Sequence, residues 1–435
     1  MSPLAIGIIF FIILLATVLT FRIPLAIAMG FIGFLGLVYV AGTEAAFGVL
    51  KTVPYRTTAS YLLSVVPLFV LMGDFASRGG MTKELYDAAY RWLGRFPGGL
   101  AMTTIAACAG FGAICGSSGA GAATMGRIAI PEMRRYKYAD SLAGATVASG
   151  GTLAILIPPS IAFILYSAIT EVSVGQLFIA GIFPGILLSL LFIFVIYIVA
   201  RRNPRMAPRG ASFSFKEMML ALRETWAVIL VFMFIMGGIY AGFFTATEAG
   251  AIGAFGVGVI CLARRQIGWK ELGSALVTTG RITGMIMLLI TGAMIFMYFL
   301  SITRLPFKLA DMILGWHVNR YIIYAAIVLI YIILGCIMDI LSALLITLPI
   351  IYPIIVALHF DPIWFGIIST ITGEMGLITP PVGLNVFILS GVFDDLPVWT
   401  IYRGVLPFVV AMALCILILT IFPQIATFLP SLMIK

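Results

Sequence analysis

Residues 151–160 read Gly-Thr-Leu-Ala-Ile-Leu-Ile-Pro-Pro-Ser, and residues 373–383 read Gly-Glu-Met-Gly-Leu-Ile-Thr-Pro-Pro-Val-Gly. Each is an apolar run of the kind that forms a membrane helix, broken by two adjacent prolines. Proline has no N–H, and its ring clashes with the carbonyl one turn back, so each pair leaves acceptors around 154–157 and 376–379 without helical partners. At membrane depth such backbone persists only where protein, water or a ligand satisfies it. One Pro-Pro pair reads equally well as a structural kink. Two pairs at related positions point to a site.

The two stretches belong to an internal repeat. Gly151 recurs as Gly373, Pro158 as Pro380 and Pro131 as Pro353, all at an offset of 222. Gly30, Gly33 and Gly36 recur as Gly250, Gly253 and Gly256 at an offset of 220, and Gly181-Ile-Phe-Pro184 recurs as Gly404-Val-Leu-Pro407 at 223. Such periodicity precedes any fold assignment. Counting spans makes corresponding segments run in opposite directions, so the repeat is expected to be inverted. The glycine triplets are expected to form close-packing faces and to carry no chemistry.

Composition agrees. Of 435 residues, 62% are hydrophobic and 10% charged, against about 25% charged in a soluble domain. A soluble protein is excluded, and there is room for about ten to fourteen crossings of ~20 residues. The fold class is an all-α polytopic membrane protein surrounded by lipid. The run Pro3 to Thr20 lacks a basic start and reads as a first span rather than a signal peptide. The net charge of +9 lies mostly in loops, as topology signals and not as a nucleic-acid surface. Five cysteines in apolar stretches, without paired spacing, argue against disulfides or a zinc site.

The most polar segment, with Arg201, Arg202, Arg205, Arg209, Lys216 and Arg223, is expected on the cytoplasmic side. It divides a first repeat, 1–200, from a second, 225–435, with 201–224 as a solvated linker. Counting from it puts Arg22, Arg78 to Arg95, Arg134, Arg135, Lys137, Arg264 and Arg265 inside and Glu44 outside. Arg304, Lys308 and Arg320 fit less well. Each repeat holds a re-entrant hairpin (about 98–135 and 321–357) and a broken helix (about 139–170 and 362–393). The stretch Arg265 to Arg281 suits an interface helix bracing a scaffold, with Gly48 to Arg56 as a shorter counterpart.

Chemistry is expected where hairpins and breaks meet. The first hairpin centres on Ala113-Ile-Cys-Gly-Ser-Ser-Gly-Ala-Gly-Ala-Ala123, the second on Gly335-Cys-Ile-Met-Asp339. Freed carbonyls suit a hard monovalent cation, and the N-terminus of the following half-helix attracts an anion. Carboxylates in apolar segments are functional candidates: Asp339 is favoured for a site role, Glu374 reads either way, and Glu248, which heads a helix, reads as structural. For Asp339 a hydrogen-bonded structural role also stands, and Ser117 and Ser118 could serve close packing instead of a ligand. His317 and His359 have no nucleophile or second metal ligand beside them. No nucleotide-binding or catalytic motif is present, so an electrochemical gradient is the expected energy source and no enzyme activity is expected.

Over essentially the whole chain, Arg22-Ile-Pro24-Leu-Ala, Arg95-Phe-Pro-Gly-Gly99, Gly116-Ser-Ser-Gly119 and the two Pro-Pro breaks resemble the large membrane subunit (M or DctM) of tripartite ATP-independent periplasmic (TRAP) transporters. The resemblance implies an elevator-type transporter of the bacterial inner membrane. It would take up an organic acid such as a sialic acid or C4-dicarboxylate with sodium. A periplasmic solute-binding protein would deliver the solute, and a small four-helix membrane subunit, here a separate chain, would complete the scaffold. By motif, a first sodium site would use main-chain oxygens at Cys115, Ser118, Ala154, Ile157 and Pro159. Relatives often have serine where Cys115 stands. A second would use Gly335, Gly376, Thr379 and Val382. Ser117, Asp339 and Asn385 are solute candidates by position.

Two other readings remain open: a self-sufficient sodium-coupled anion carrier without a binding protein, and a membrane-embedded enzyme using Asp339 and Glu374 as a carboxylate pair.

Overall fold

The computed structural model describes residues 2–21, 23–315 and 318–433, so Arg22 and His317 lie outside the described residues. Among those described, every regular element is a helix. The first half runs α1 (Pro3–Phe21), α2 (Leu25–Ala41), α3 (Thr43–Thr58), α4 (Val65–Arg78), α5 (Met81–Leu93), α6 (Gly99–Cys115), α7 (Ser118–Arg135), α8 (Asp140–Leu156), α9 (Ile161–Thr170) and α10 (Val174–Arg202). After α11 (Phe215–Glu224), the second half runs α12 (Trp226–Tyr240), α13 (Ala246–Ala263), α14 (Trp269–Thr303), α15 (Leu305–Gly315), α16 (Arg320–Ile337), α17 (Ile340–Ala357), α18 (Pro362–Gly376), α19 (Leu384–Val392), α20 (Val398–Ile421) and α21 (Gln424–Ser431).

Helices α6 to α10 begin at Gly99, Ser118, Asp140, Ile161 and Val174, and α16 to α20 begin in the same order at Arg320, Ile340, Pro362, Leu384 and Val398, so the repeat seen in single residues extends to whole elements. In both halves the Pro-Pro bond, Pro158–Pro159 and Pro380–Pro381, is cis. The halves differ in one place. The separate α3 and α4 of the first correspond to the continuous 35-residue α14 of the second.

That continuity corrects one expectation. Arg265 to Arg281 is not an independent interface helix, because α14 runs unbroken from Trp269 past it; its glycines at 273, 280 and 284 are tolerated without interruption. Among the described residues six helices are long and apolar enough to cross a membrane, or up to eight with the bent pairs α8/α9 (43°) and α11/α12 (58°) taken as single spans. Shorter apolar helices lie at Pro3–Val18, Leu25–Ala41 and Gly99–Cys115.

The helices fall into two groups by packing. In one, α2 lies along α14, α4 along α13 and α14, and α1, α3 and α12 complete the layer. In the other, α8 is enclosed by α6, α7 and α20, α18 packs on α16, and α17 packs on α9 and α18. Helices α5 and α15 bridge the groups by packing on α6 and α17. In the first group the glycines work as the pattern implies at Gly33, whose added Cβ would lie 2.7 Å from the Phe296 Cα of α14. The second triplet packs at Gly250, where an added Cβ would lie 3.2 Å from Leu68 Cβ, and at Gly253, where it would lie 2.6 Å from Met72 Sδ, while Gly256 has nothing within 4 Å.

The linker is not simply solvated. Ala207 O accepts from Gly98 N, Gly94 O accepts from Gly210 N, and Met206 O accepts from Ala139 N. The Tyr138 hydroxyl donates to Pro208 O (2.7 Å) and accepts from Leu100 N (3.2 Å). Trp92 Nε1 donates to Met218 O, and Arg91 pairs with Glu224. The segment is a strap over the base of the first hairpin, because backbone groups near the buried ends of α6 and α8 need partners. Tyr138→Phe leaves Leu100 N and Pro208 O without theirs, so it is expected to destabilise the protein by about 1–3 kcal/mol, read as a lower unfolding temperature in detergent; an unchanged temperature would show the strap to be incidental.

Candidate functional site

The first hairpin turns at Gly116 and Ser117. Gly116 has φ +65°, and a Cβ there would lie 2.7 Å from Pro159 O, so the turn needs glycine for both conformation and space. Its own carbonyl accepts from Ile161 N at 3.4 Å, tying the tip to the start of the half-helix after the break. Gly112 lies directly on Ala154, with an added Cβ 2.8 Å from the Ala154 Cα, and a Cβ on Gly151 would meet Ser118 O at 3.0 Å. Cys115, Ser118, Ala154 and Pro159 are thus brought into one neighbourhood, with Ile157 in the same break. Cys115 offers only a weak side-chain contact, its Sγ 3.8 Å from Ser117 O.

In this break the carbonyls of Ala154 and Ile155 face prolines where helical donors would stand. Among the described residues no donor reaches the carbonyls of Ile157, Pro158 or Pro159. Ser160 caps the following half-helix, accepting from Phe163 N.

The second half repeats the contact with different details. An added Cβ on Gly376 would lie 2.5 Å from Gly335 C and 2.6 Å from Cys336 N, and one on Gly335 would strike the backbone of Gly373. Gly383 N donates to Cys336 O at 3.3 Å. The freed carbonyls here are partly engaged: Gly376 O accepts from Thr379 N, and Leu377 O accepts from Asn385 N. The Tyr402 hydroxyl donates to Val382 O at 2.5 Å, and that of Thr379 to Met375 O at 2.6 Å. Within 376–379, the carbonyls of Gly376 and Leu377 are reached by N–H groups that lie outside the regular helical ladder. Each carbonyl keeps a second lone pair.

The three solute candidates do not come together. Ser117 lines a cavity of about 180 Å³ between the first hairpin, α4 and α14, shared with Asp74, Ser77, Thr124, Ile282, Met285 and Leu341. Asp339 is instead the N-cap of α17, accepting from Ser342 N (3.1 Å) and Ser342 Oγ (2.5 Å). Asn385 is fully buried and donates to Ala148 O on α8 at 3.3 Å, bracing the second half against the first. Neither Asp339 nor Asn385 lines the cavity. Glu248 forms a capping box with Thr245 at the start of α13, the structural role its position implies.

Sequence reasoning passed over Asp74, whose carboxylate takes Arg78 Nε at 2.7 Å while Arg78 Nη2 reaches Thr278 of α14 at 3.3 Å. A charge within the apolar run 65–76 was the available signal. It also passed over Tyr402, which lies far from the break in sequence. Among the described residues no cluster of three His, Cys, Asp or Glu side chains could hold a metal ion.

A family model described as tripartite ATP-independent periplasmic transporter, DctM component, matches residues 11–425. The chain is 37% identical over 378 residues to the C4-dicarboxylate TRAP transporter large permease protein DctM of Pseudomonas aeruginosa, covering 87% of this chain and 88% of that protein. It is 32% identical over 415 residues to the isethionate TRAP transporter permease protein DctMQ of Oleidesulfovibrio alaskensis, covering 95% of this chain and 65% of that protein. The fold is similar to the crystal structure of the Alcanivorax borkumensis YdaH transporter, with a TM-score of 0.62 at 12% identity, covering 99% of this chain and 98% of that one.

Proposed function

The chain belongs to the DctM family, the large permease component of TRAP transporters in the bacterial inner membrane, and on that premise we propose that it imports an organic acid anion together with sodium by an elevator motion. It is a transporter permease and not an enzyme. The observation that carries the proposal is the twofold meeting of a hairpin with a Pro-Pro break at the backbone level. Carbonyl oxygens clustered in this way replace the hydration shell of a hard monovalent cation. The first sodium would use Cys115, Ser118, Ala154, Ile157 and Pro159, the second Gly335, Gly376, Thr379 and Val382.

The solute would occupy the cavity beside Ser117. Its walls come from both packing groups, α4 and α14 on one side and the first hairpin on the other, as a load held between a moving body and a fixed one requires. The group around α8 and α18 would move as the carrier. The group built on α2, α4, α13 and α14 would stay as scaffold. The two repeats would be inverted, which supplies two equivalent end states for alternating access. C4-dicarboxylates, sialic acids and isethionate are the solute classes named for relatives, and an acid of this kind is proposed here. A periplasmic binding protein would deliver it. A small four-helix membrane subunit would complete the scaffold; the unmatched remainder of the longer DctMQ relative supports such a partner.

The test is uptake of labelled organic acids into proteoliposomes that contain this chain and its small subunit, with an inward sodium gradient, with and without the binding protein. Uptake that needs both sodium and binding protein is expected. Uptake indifferent to sodium would refute the coupling, and uptake without the binding protein would favour the self-sufficient carrier. Tyr402→Phe, which removes the donor held by Val382 O, is expected to raise the half-saturating sodium concentration about three- to tenfold, the equivalent of one hydrogen bond of roughly 1 kcal/mol. An unchanged sodium curve would dismiss Val382 as a ligand.

A further inference from the structure

Among the described residues, the one charged side chain in the walls of the cavity beside Ser117 is the carboxylate of Asp74. An anion held there would be repelled, since like charges set side by side in a low-dielectric site oppose binding. What offsets Asp74 is Arg78, one turn further along α4, whose Nε donates to Asp74 Oδ2 at 2.7 Å. Arg78 Nη2 donates to Thr278 Oγ1 of α14 at 3.3 Å, and Thr278 commits its own proton to Ser274 O at 2.9 Å, which leaves its oxygen to accept. Arg78 ends α4, where a long cationic side chain ordinarily runs out to water. Instead it folds back on the cavity wall, with 29% of its side chain exposed and 20% of that of Asp74. The neighbouring basic groups are engaged or turned away: Arg264 Nη1 donates to both oxygens of Glu84 at 3.0 Å, and Arg127 of α7 and Arg281 of α14 are exposed.

Arginine carries its N–H donors in a planar fork, and Asp74 and Thr278 take one each. The Asp74 contact is a single hydrogen bond between partly exposed side chains on successive turns of one helix, a pairing of the weak kind. A two-pronged bond between the guanidinium and an incoming acid group is the stronger of the two, so an exchange of partners is downhill.

We propose that Arg78 grips an acid group of the solute, and that Asp74 is the stand-in that holds the guanidinium when no solute is present and reclaims it when the solute leaves. It rests on the placing of the solute beside Ser117 given above. Arg78 belongs to α4 of the scaffold group and Ser117 to the hairpin of the carrier group, so the grip forms only where the carrier brings the cavity level with Arg78. Asp74 competes there for the same guanidinium, which keeps the solute from being trapped at that end of the carrier's travel.

The experiment measures equilibrium binding of radiolabelled succinate, isethionate and N-acetylneuraminate to the chain with its small subunit in lipid nanodiscs in sodium chloride. For the acid that wild type binds, Arg78→Gln is expected to bind about tenfold more weakly. Arg78→Lys, which keeps the charge without the fork, should bind about threefold more weakly. Asp74→Asn removes the competitor and should bind about two- to fivefold more tightly, a gain that a merely structural role for the pair would not give. The double variant Asp74→Asn/Arg78→Gln should stay weaker than wild type. Its return to wild-type affinity would show that Arg78 only neutralises Asp74 and would overturn the grip. Unchanged affinity in Arg78→Gln, or weaker binding in Asp74→Asn, would also overturn the inference, while sodium-dependent binding of the acid by wild type would leave the transport reading standing. Binding of none of the three acids by wild type would overturn both. Should the Arg78 variants fail to fold, Asp74→Asn decides: an affinity no higher than that of wild type refutes the exchange.

Discussion

Gly376→Ala is expected to lower sodium-dependent uptake by about a hundredfold while the protein still inserts and purifies as a folded species. The new methyl group would stand 2.5 Å from Gly335 C and 2.6 Å from Cys336 N. Both are backbone atoms of the second hairpin and cannot turn aside as a side-chain end can. Overpacking of this kind costs about 1–3 kcal/mol, and at the upper end that is roughly a hundredfold in the population of the closed hairpin. The effect falls on closure and not on overall stability, because the hairpin can lift from the break and leave the remaining packing in place. Initial uptake rates in proteoliposomes, compared with Gly280→Ala, where nothing lies within 4 Å, separate the site from a general loss of helix quality. Wild-type rates in Gly376→Ala would show that the hairpin need not touch the break, and the ion-site assignment would fall with it.

Gly33→Ala is expected to give a large loss of stability in the scaffold group. Its Cβ would lie 2.7 Å from the Cα and 2.8 Å from the N of Phe296, so α2 would have to move away from α14 along their shared length. The expected destabilisation is about 2–3 kcal/mol, well above the ~1 kcal/mol that alanine gains over glycine in a helix. Gly256→Ala, in the repeat-related triplet, adds its methyl group to open space. It should leave stability unchanged or raise it by up to about 1 kcal/mol. Thermal unfolding of the two variants in the same detergent is the check, and equal temperatures would mean that the 2.7 Å contact at Gly33 does not govern stability.

That contrast shows how far a motif carries. Spacing of three is visible in both triplets, and it correctly marks Gly33 as a contact. It says nothing of Gly256, because whether a neighbour arrives depends on an element elsewhere in the chain. Asp339 makes the same point for chemistry. Its place in an apolar run singled it out, but Ser342 in the first turn of the same helix makes it a cap, the local use that Asp most often serves. Glu374 has no such neighbour on its own helix, and its burial without a hydrogen-bond partner emerges only from the tertiary packing. Asp74 lay in plain view within an apolar run. Its meaning depends on Arg78 and on a cavity whose other walls come from distant segments.

The class of the protein, its helical composition, the order of its repeat, the position of both breaks and the family were determined by the sequence alone. Each follows from local chemistry: long apolar runs, prolines without N–H groups, glycines at the hairpin turn, and the recurrence of all three at a nearly constant offset. The tertiary structure alone decided which of the marked residues meet. Asn385 holds Ala148, Tyr402 holds Val382, and the linker straps the first hairpin. The first of these pairings joins opposite halves of the repeat. No local pattern encodes such pairs, because they are selected by how whole helices fit together and by the need of each buried polar group for a partner.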